Sequence, residues 1–144
     1  MEKTVWKNQK IRTRKCSEGF FPHLSEHVRR IRMIKVKDIC EKGSMKILCE
    51  GDSFEREVSG CYCGDLLSWV MSRAQAGDAW LTVMGNVNAV GVAALADTAC
   101  IILTENAAFD DNALMRAQQN GITVLQTEKN TYETAVLVNG MLNS

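Results

Sequence analysis

Two cysteines separated by one residue, Cys61 and Cys63, have the spacing in this 144-residue chain that most directly suggests chemistry. Alternate side chains of a strand share one face, so both thiols would point the same way, and Cys49 could approach from a neighbouring strand. Three soft ligands can hold a thiophilic metal or an iron–sulfur cluster. The spacing is not Cys-x-x-Cys and no second pair supports it, so small buried thiols are favoured and no metal site is predicted.

The two histidines of the chain, His23 and His27, are four residues apart and would share one face of a helix. No glutamate follows His23 and no further ligand cluster accompanies the pair, so a metal site there is disfavoured. Residues 33–144 contain no histidine and therefore lack the commonest general base. P-loop and dinucleotide-binding glycine motifs are also missing from the sequence, so we predict a protein that is not an enzyme and needs no cofactor.

Two polar, glycine-bearing segments form a better candidate for a binding site. Residues 64–68 and 82–88 each lie at the junction between a predicted strand and the predicted helix that follows it. Open parallel sheets bind ligands beyond the carboxyl ends of their strands, where helix N-termini present N–H groups. The predicted site for a small metabolite or nucleotide consists of Gly64, Asp65, Ser68, Thr82, Asn86 and Asn88. The alternative is structural: Asp65 and Asn86 would cap helices, and Gly64 would form a turn.

The elements that position these segments follow from the hydrophobic period. Helices are predicted over residues 36–42, 66–74 (opened by Asp65), 86 or 88 to 96, 110–120 and 130–141. Strands are predicted over residues 45–49, 79–84, 100–104 and 122–126, with a further extended run over 57–63. This alternation predicts a single α/β domain with a mainly parallel sheet and helices on both faces. The extended runs before Asp65 are expected to pair antiparallel at an edge.

The tryptophans Trp69 and Trp80 are both expected to pack in the core. Trp69 lies off the apolar stripe of its predicted helix, however, and an exposed tryptophan beside Met71 would suit a homodimer contact.

The formal net charge of zero averages two unlike segments. Residues 1–32 carry nine Lys and Arg against three Asp and Glu, a net charge of +6, and residues 33–144 carry eight against fourteen, a net charge of −6. We interpret residues 1–32 as a basic, poorly ordered extension. It is either an arm for an anionic partner or a leader upstream of a true start at Met33, since the codons of Arg29 and Arg30 can resemble a ribosome-binding site. The domain is then residues 33–144, with no affinity for nucleic acid expected.

The chain shows no export signal and no apolar stretch that could span a bilayer. Its six cysteines are therefore expected to be reduced, and a cytoplasmic protein without membrane contact is predicted.

Three stretches of the sequence resemble the DRTGG domain family. They are Gly60-Cys-Tyr-Cys-Gly-Asp-Leu-Leu-Ser-Trp-Val-Met71, Ala76-Gly-Asp-Ala-Trp-Leu-Thr82 and Asn86-Val-Asn88. Thr104, Gly121-Ile122 and Thr131-Tyr132-Glu133 fit the same pattern, whereas the name-giving motif is degenerate at residues 55–60. The resemblance covers residues 33–142 and implies a fold similar to the N-terminal domain of HPr kinase/phosphorylase and to the DRTGG domain of CBS-containing family II pyrophosphatases.

The resemblance also implies a role. Domains of this family are taken to be regulatory, dimerising or ligand-sensing, and stand-alone copies are associated with iron-only hydrogenase genes. The function expected is therefore a homodimeric, non-catalytic regulatory module that senses a small metabolite or nucleotide. The alternative is a protein-interaction subunit of an iron-only hydrogenase or of its maturation system, docked to a redox-enzyme partner and without a small ligand. A thiol-based carrier of a metal or cluster is a third possibility.

Overall fold

The computed structural model describes residues 33–144, and the basic extension with its two histidines lies outside the described residues. The helices within this range are α1 (Val36–Lys42), α2 (Leu67–Arg73), α3 (Val87–Ala96), α4 (Asp111–Gln119) and α5 (Thr131–Leu142). The strands are β1 (Ile34–Lys35), β2 (Lys46–Cys49), β3 (Glu57–Val58), β4 (Gly60–Cys63), β5 (Asp78–Thr82), β6 (Cys100–Leu103) and β7 (Val124–Gln126). None of these helices combines the length and apolar character needed to cross a bilayer.

Five strands form one sheet in the order β2-β7-β6-β5-β4. The strands β4 to β7 are parallel neighbours in sequence order. The strand β2 lies antiparallel against β7, with Ile47 opposite Leu125. The mainly parallel sheet with an antiparallel edge strand is thus confirmed.

One face of the sheet is covered by α2, α3 and α4. Each of these helices connects two neighbouring parallel strands. Each new strand is added on the same side of the previous one, so right-handed crossovers place all three helices on one face of the sheet. Their residues Val70, Val90 and Ala113 form one apolar cluster with the fully buried Trp80 of β5.

The opposite face is covered by α1 and α5. Ile39 of α1 and Val138 of α5 form a second cluster with Leu81, the neighbour of Trp80 on β5. All five residues of β5 are buried, because both faces of this central strand are covered by helices. Helices on both faces, as predicted from the alternation of strands and helices, are therefore confirmed.

The extended run 57–63 divides at Ser59 into two strands with different partners. The strand β3 pairs antiparallel with β1, Val58 lying opposite Ile34. The strand β4 instead joins the large sheet parallel to β5, because α2 carries the chain back before β5 begins. The predicted antiparallel edge pairing is therefore right for β2 and wrong for β4.

The expected core position of Trp69 is also wrong. Its side chain is 51% exposed, and the guanidinium of Arg73 lies 3.7 Å from the centre of its ring. The residue of α2 that is fully buried is Val70. The predicted core position is correct for Trp80. Trp69 is exposed instead, in keeping with its position off the apolar stripe of the helix.

Candidate functional site

Asp65 and Thr82 join the carboxyl ends of β4 and β5. The Thr82 hydroxyl donates a hydrogen bond of 2.8 Å to Asp65 Oδ1, and the backbone N–H of Val83 donates one of 2.9 Å to the same oxygen. The Thr82 oxygen in turn accepts from the N–H of Met84 at 3.1 Å. Because Thr82 is fully buried, this carboxylate satisfies a hydroxyl that water does not reach.

The sequence predicted that Asp65 begins α2, but in the structure it does not. The N-cap of α2 is Leu66, and no side chain caps that end of the helix. Two donors from the neighbouring strand end hold the carboxylate instead, and hydrogen bonds to a charged acceptor are among the stronger ones in proteins. The prediction that Asp65 opens or caps the helix is wrong, and its role is to connect two strand ends.

Gly64 is fixed from two sides at the same edge. Its N–H donates to the carbonyl of Leu81 at 3.2 Å, and its carbonyl accepts from the indole N–H of Trp80 at 2.9 Å. The second bond satisfies the one polar atom of a fully buried indole. Gly64 and Asp65 are therefore both hydrogen-bonded to β5, Gly64 through Trp80 and Leu81 and Asp65 through Thr82.

The other three predicted site residues lie on the adjoining helices. Asn86 caps α3, its Oδ1 accepting from the N–H of Ala89 at 3.0 Å. Ser68 and Asn88 are exposed in the first turns of α2 and α3. All six residues thus lie at or next to the ends of β4 and β5, and their part in ligand binding stays a prediction.

The thiols Cys61 and Cys63 share one face of β4, as their spacing predicted. They lie opposite Ala79 and Leu81, both of which belong to the cluster under α1 and α5. Cys49 lies on β2 at the opposite edge of the sheet and packs in the other cluster, so its expected approach to the pair is wrong. Across residues 33–144, no group of three His, Cys, Asp or Glu side chains has an arrangement that could hold a metal ion.

The two thiols of β4 differ in acidity. A hydrogen bond from Cys61 lowers the pKa of the exposed Cys63 to about 7, against the opposing effects of partial burial and of Asp65. The same hydrogen bond, together with burial, raises the pKa of Cys61 far above its usual range. Cys63 is therefore partly thiolate at neutral pH, while Cys61 remains protonated.

A cleft of about 330 Å³ opens beside the ends of β6 and β7. Lys46 begins β2 and lies opposite Gln126, and Asn106 and Lys129 follow β6 and β7. All four line the cleft. Sequence reasoning missed it because Lys46 and Lys129 are far apart in the chain and meet only through the antiparallel pairing of β2 with β7. Assigning that pairing would have placed the start of β2 at the carboxyl end of its neighbour.

The sequence profile of the DRTGG domain matches residues 38–141. The chain belongs to the DRTGG domain family. No curated protein sequence matches this chain. Among solved structures, the DRTGG domain described here is similar to the CBS and DRTGG domains of the regulatory region of Clostridium perfringens pyrophosphatase, complexed with its activator diadenosine tetraphosphate.

That similarity has a TM-score of 0.59 at 13% sequence identity, and it covers 76% of this chain. It covers 46% of the pyrophosphatase chain, so the present domain corresponds to about half of that regulatory region. At this identity the likeness establishes a shared fold.

Proposed function

We propose that this DRTGG domain is a non-catalytic regulatory module that senses a small metabolite or nucleotide at the carboxyl edge of its parallel sheet. The observation that carries the proposal is the cleft of about 330 Å³ at that edge, a volume within the range of small-ligand sites. The fold supports it, because open parallel sheets bind ligands beyond the carboxyl ends of their strands. The similar pyrophosphatase region is a regulatory one that was crystallised with a dinucleotide activator.

The chemistry of the same edge supports a role without catalysis. The carboxylate oxygen Asp65 Oδ1 already accepts two hydrogen bonds, so it is committed to the structure. Cys63 is the most acidic thiol among the described residues, but the group beside it, Cys61, is a hydrogen-bond donor and a weaker acid. The hydroxyl that donates to Asp65 belongs to the fully buried Thr82, and Cys63 has a protonated thiol rather than a base beside it, so neither pair is arranged for nucleophilic transfer.

The proposal includes a homodimer that forms through α2. The N-cap residue Leu66 exposes 58% of its surface, and Trp69 and Met71 of the helix itself each expose 51%. Exposed aromatic and methionine side chains are enriched in protein interfaces. A second copy of the chain can offer the same three residues, as an isologous contact requires.

The dimer is tested by analytical ultracentrifugation of the full chain and of Trp69→Ser. The matched control is Tyr132→Ser, which removes a 77% exposed aromatic from α5, away from α2. We expect the wild type and Tyr132→Ser to sediment as dimers and Trp69→Ser to shift towards the monomer. A monomeric wild type, or a Trp69→Ser variant as dimeric as the control, would contradict the dimer.

Ligand sensing is tested by thermal unfolding in the presence of AMP, ATP, diadenosine tetraphosphate and acetyl-CoA. A ligand that binds the folded state stabilises it by about 2.7 kcal/mol at one hundred times its Kd. A saturable rise in Tm with one of these compounds supports the proposal. No rise with any of them, together with specific co-purification of a redox enzyme, would overturn it in favour of the interaction subunit.

A further inference from the structure

Half of the cations of the domain are engaged by a carboxylate or by an indole ring. Residues 33–144 carry eight Lys and Arg against fourteen Asp and Glu. Lys35 and Lys37 lie 3.2 and 3.0 Å from the carboxylate of Glu55. Arg56 lies 2.8 Å from another carboxylate, and Arg73 covers an indole ring.

Lys46 and Lys129 are two of the remaining four cations, and both line the cleft beside β7. Within the described residues, neither forms an ion pair. Two ammonium groups without an ion-pair partner at one cleft concentrate positive charge there, and an anion bound between them would neutralise it. In the part of the chain that the structure describes, the one carboxylate lining the cleft is that of Glu128.

The backbone around the cleft is held in an unfavourable conformation. Ser44, Glu105 and Asn106 have φ angles of 49°, 55° and 53°, and they are three of the four non-glycine residues with positive φ in the described part of the chain. They lie in the turns before β2 and after β6, and both turns contribute lining residues. Left-handed backbone in residues with a Cβ is costly and concentrates at functional sites.

Hydrogen bonds between the loops hold the cleft open without a ligand. The N–H groups of Glu105 and Asn106 donate to the carbonyls of Lys129 and Thr127, each at 2.8 Å. The side-chain amide of Gln126 donates to a carbonyl of the loop after β6, also at 2.8 Å. The loops after β6 and β7 are therefore cross-linked, so a ligand would not have to order them.

From these observations we propose that the cleft binds the phosphate or carboxylate group of a small metabolite between Lys46 and Lys129. The side chains of Asn106 and Ser44, which also line the cleft, are placed to donate further hydrogen bonds to the bound anion. The proposal rests on the proposed sensing function, because it names the residues and the ligand class for that role.

The test is a titration of the ¹⁵N-labelled full chain with inorganic phosphate, AMP and citrate, each at constant ionic strength with chloride as the balancing anion. Backbone amide shifts report which residues respond, so binding at the cleft is separated from binding to the basic residues 1–32. The same titrations are made with Lys46→Gln/Lys129→Gln and with Arg116→Gln, which removes an exposed positive charge from α4. All of the substituted side chains are exposed, so the variants are expected to fold, and their spectra without ligand verify this.

We expect saturable shifts at the amides around Lys46, Asn106 and Lys129, with an affinity that falls by about 100-fold in the double variant, or about tenfold for each of its two lysines. Arg116→Gln should bind like the wild type. Tighter binding of phosphate and AMP identifies a phosphate ligand, and tighter binding of citrate a carboxylate; either result supports the proposal.

Linear, unsaturable shifts with all three anions would overturn the proposed anion site. Saturable shifts elsewhere, or shifts that survive in the double variant, would overturn the location while leaving the sensing function intact. The sensing function itself fails only if the thermal screen is also negative.

Discussion

Removing the carboxylate of Asp65 should destabilise the domain by an amount that depends on Thr82. In Asp65→Ala the fully buried Thr82 hydroxyl loses its acceptor, and the N–H of Val83 loses its partner. A hydrogen bond to a charged group contributes about 1.5–3 kcal/mol, and water can replace the carboxylate at the half-buried Val83. We therefore expect Asp65→Ala to cost about 2 kcal/mol, and Thr82→Val about 1–2 kcal/mol.

The assay is urea unfolding followed by far-UV circular dichroism, for the two single variants and the double variant. With a denaturant slope of about 1–3 kcal/mol/M, a loss of 2 kcal/mol lowers the midpoint by roughly 1 M. Because the two side chains act on each other, the double variant should lose about 1 kcal/mol less than the sum of the single variants. Glu50→Ala, which removes an exposed carboxylate, is the control and should stay within about 0.5 kcal/mol of the wild type.

Two results would refute this reasoning. Additivity within about 0.5 kcal/mol would show that Asp65 and Thr82 do not depend on each other. An Asp65→Ala variant as stable as Glu50→Ala would show that the carboxylate is not committed to the structure and is available to a ligand.

Three further predictions use matched comparisons. Alkylation of Cys63 by iodoacetamide, followed by peptide mass spectrometry, should reach half its maximal rate near pH 7, since its pKa is about 7. In Cys61→Ala that midpoint should rise towards the usual thiol value, and an unchanged midpoint would exclude the hydrogen bond as the cause. Two lysines lower the pKa of Glu55 from its ordinary value of 4.5, so its contribution to stability should be complete above that pH and disappear as the pH falls through the lowered value. Comparing Glu55→Gln with the wild type in urea at several pH values checks this, and a difference that persists in strong acid would contradict it. Gly85→Ala should destabilise by about 2 kcal/mol or more, because its Cβ would collide with a backbone carbonyl, whereas Gly91→Ala in α3 meets no atom and should stabilise by about 0.5–1 kcal/mol. Thermal unfolding of both decides, and equal effects would refute the assigned contacts.

The hydrophobic pattern predicted the sheet and its helices because burial on two faces leaves a clear signal. Every residue of β5 is buried, so its apolar run stands out in the sequence. The caps of α3 and α5 were also predictable, since Asn86 and Asn130 each accept a hydrogen bond from the N–H three residues later. These interactions are local in the chain, and local interactions are what a single sequence records most directly.

The parts that escaped prediction depend on contacts between distant segments. Asp65 has the residue type of a helix cap, but a hydroxyl from the neighbouring strand end, 17 residues later, holds its carboxylate. Lys46 and Lys129 belong to one cleft only because β2 lies against β7, and no local pattern specifies that strand order. The shared face of Cys61 and Cys63 was predictable from the strand period, whereas the distance of Cys49 from them again depended on strand order.

The pairing of β2 with β7 also affects when, during synthesis, the domain can complete its large sheet and the cleft beside it. Among the described residues, the first strand of the large sheet pairs only with the last, so β2 gains this neighbour only when nearly the whole domain has left the ribosome. The parallel strands β4 to β6 can associate progressively as each crossover helix emerges. Closure of the β2 edge is then a late folding step that joins distant parts of the chain, and such contacts are slow to form. A ligand held between Lys46 and Lys129 would distinguish a chain that includes β7 and the loop after it from one that ends before them, because only the longer chain contains both sides of the cleft.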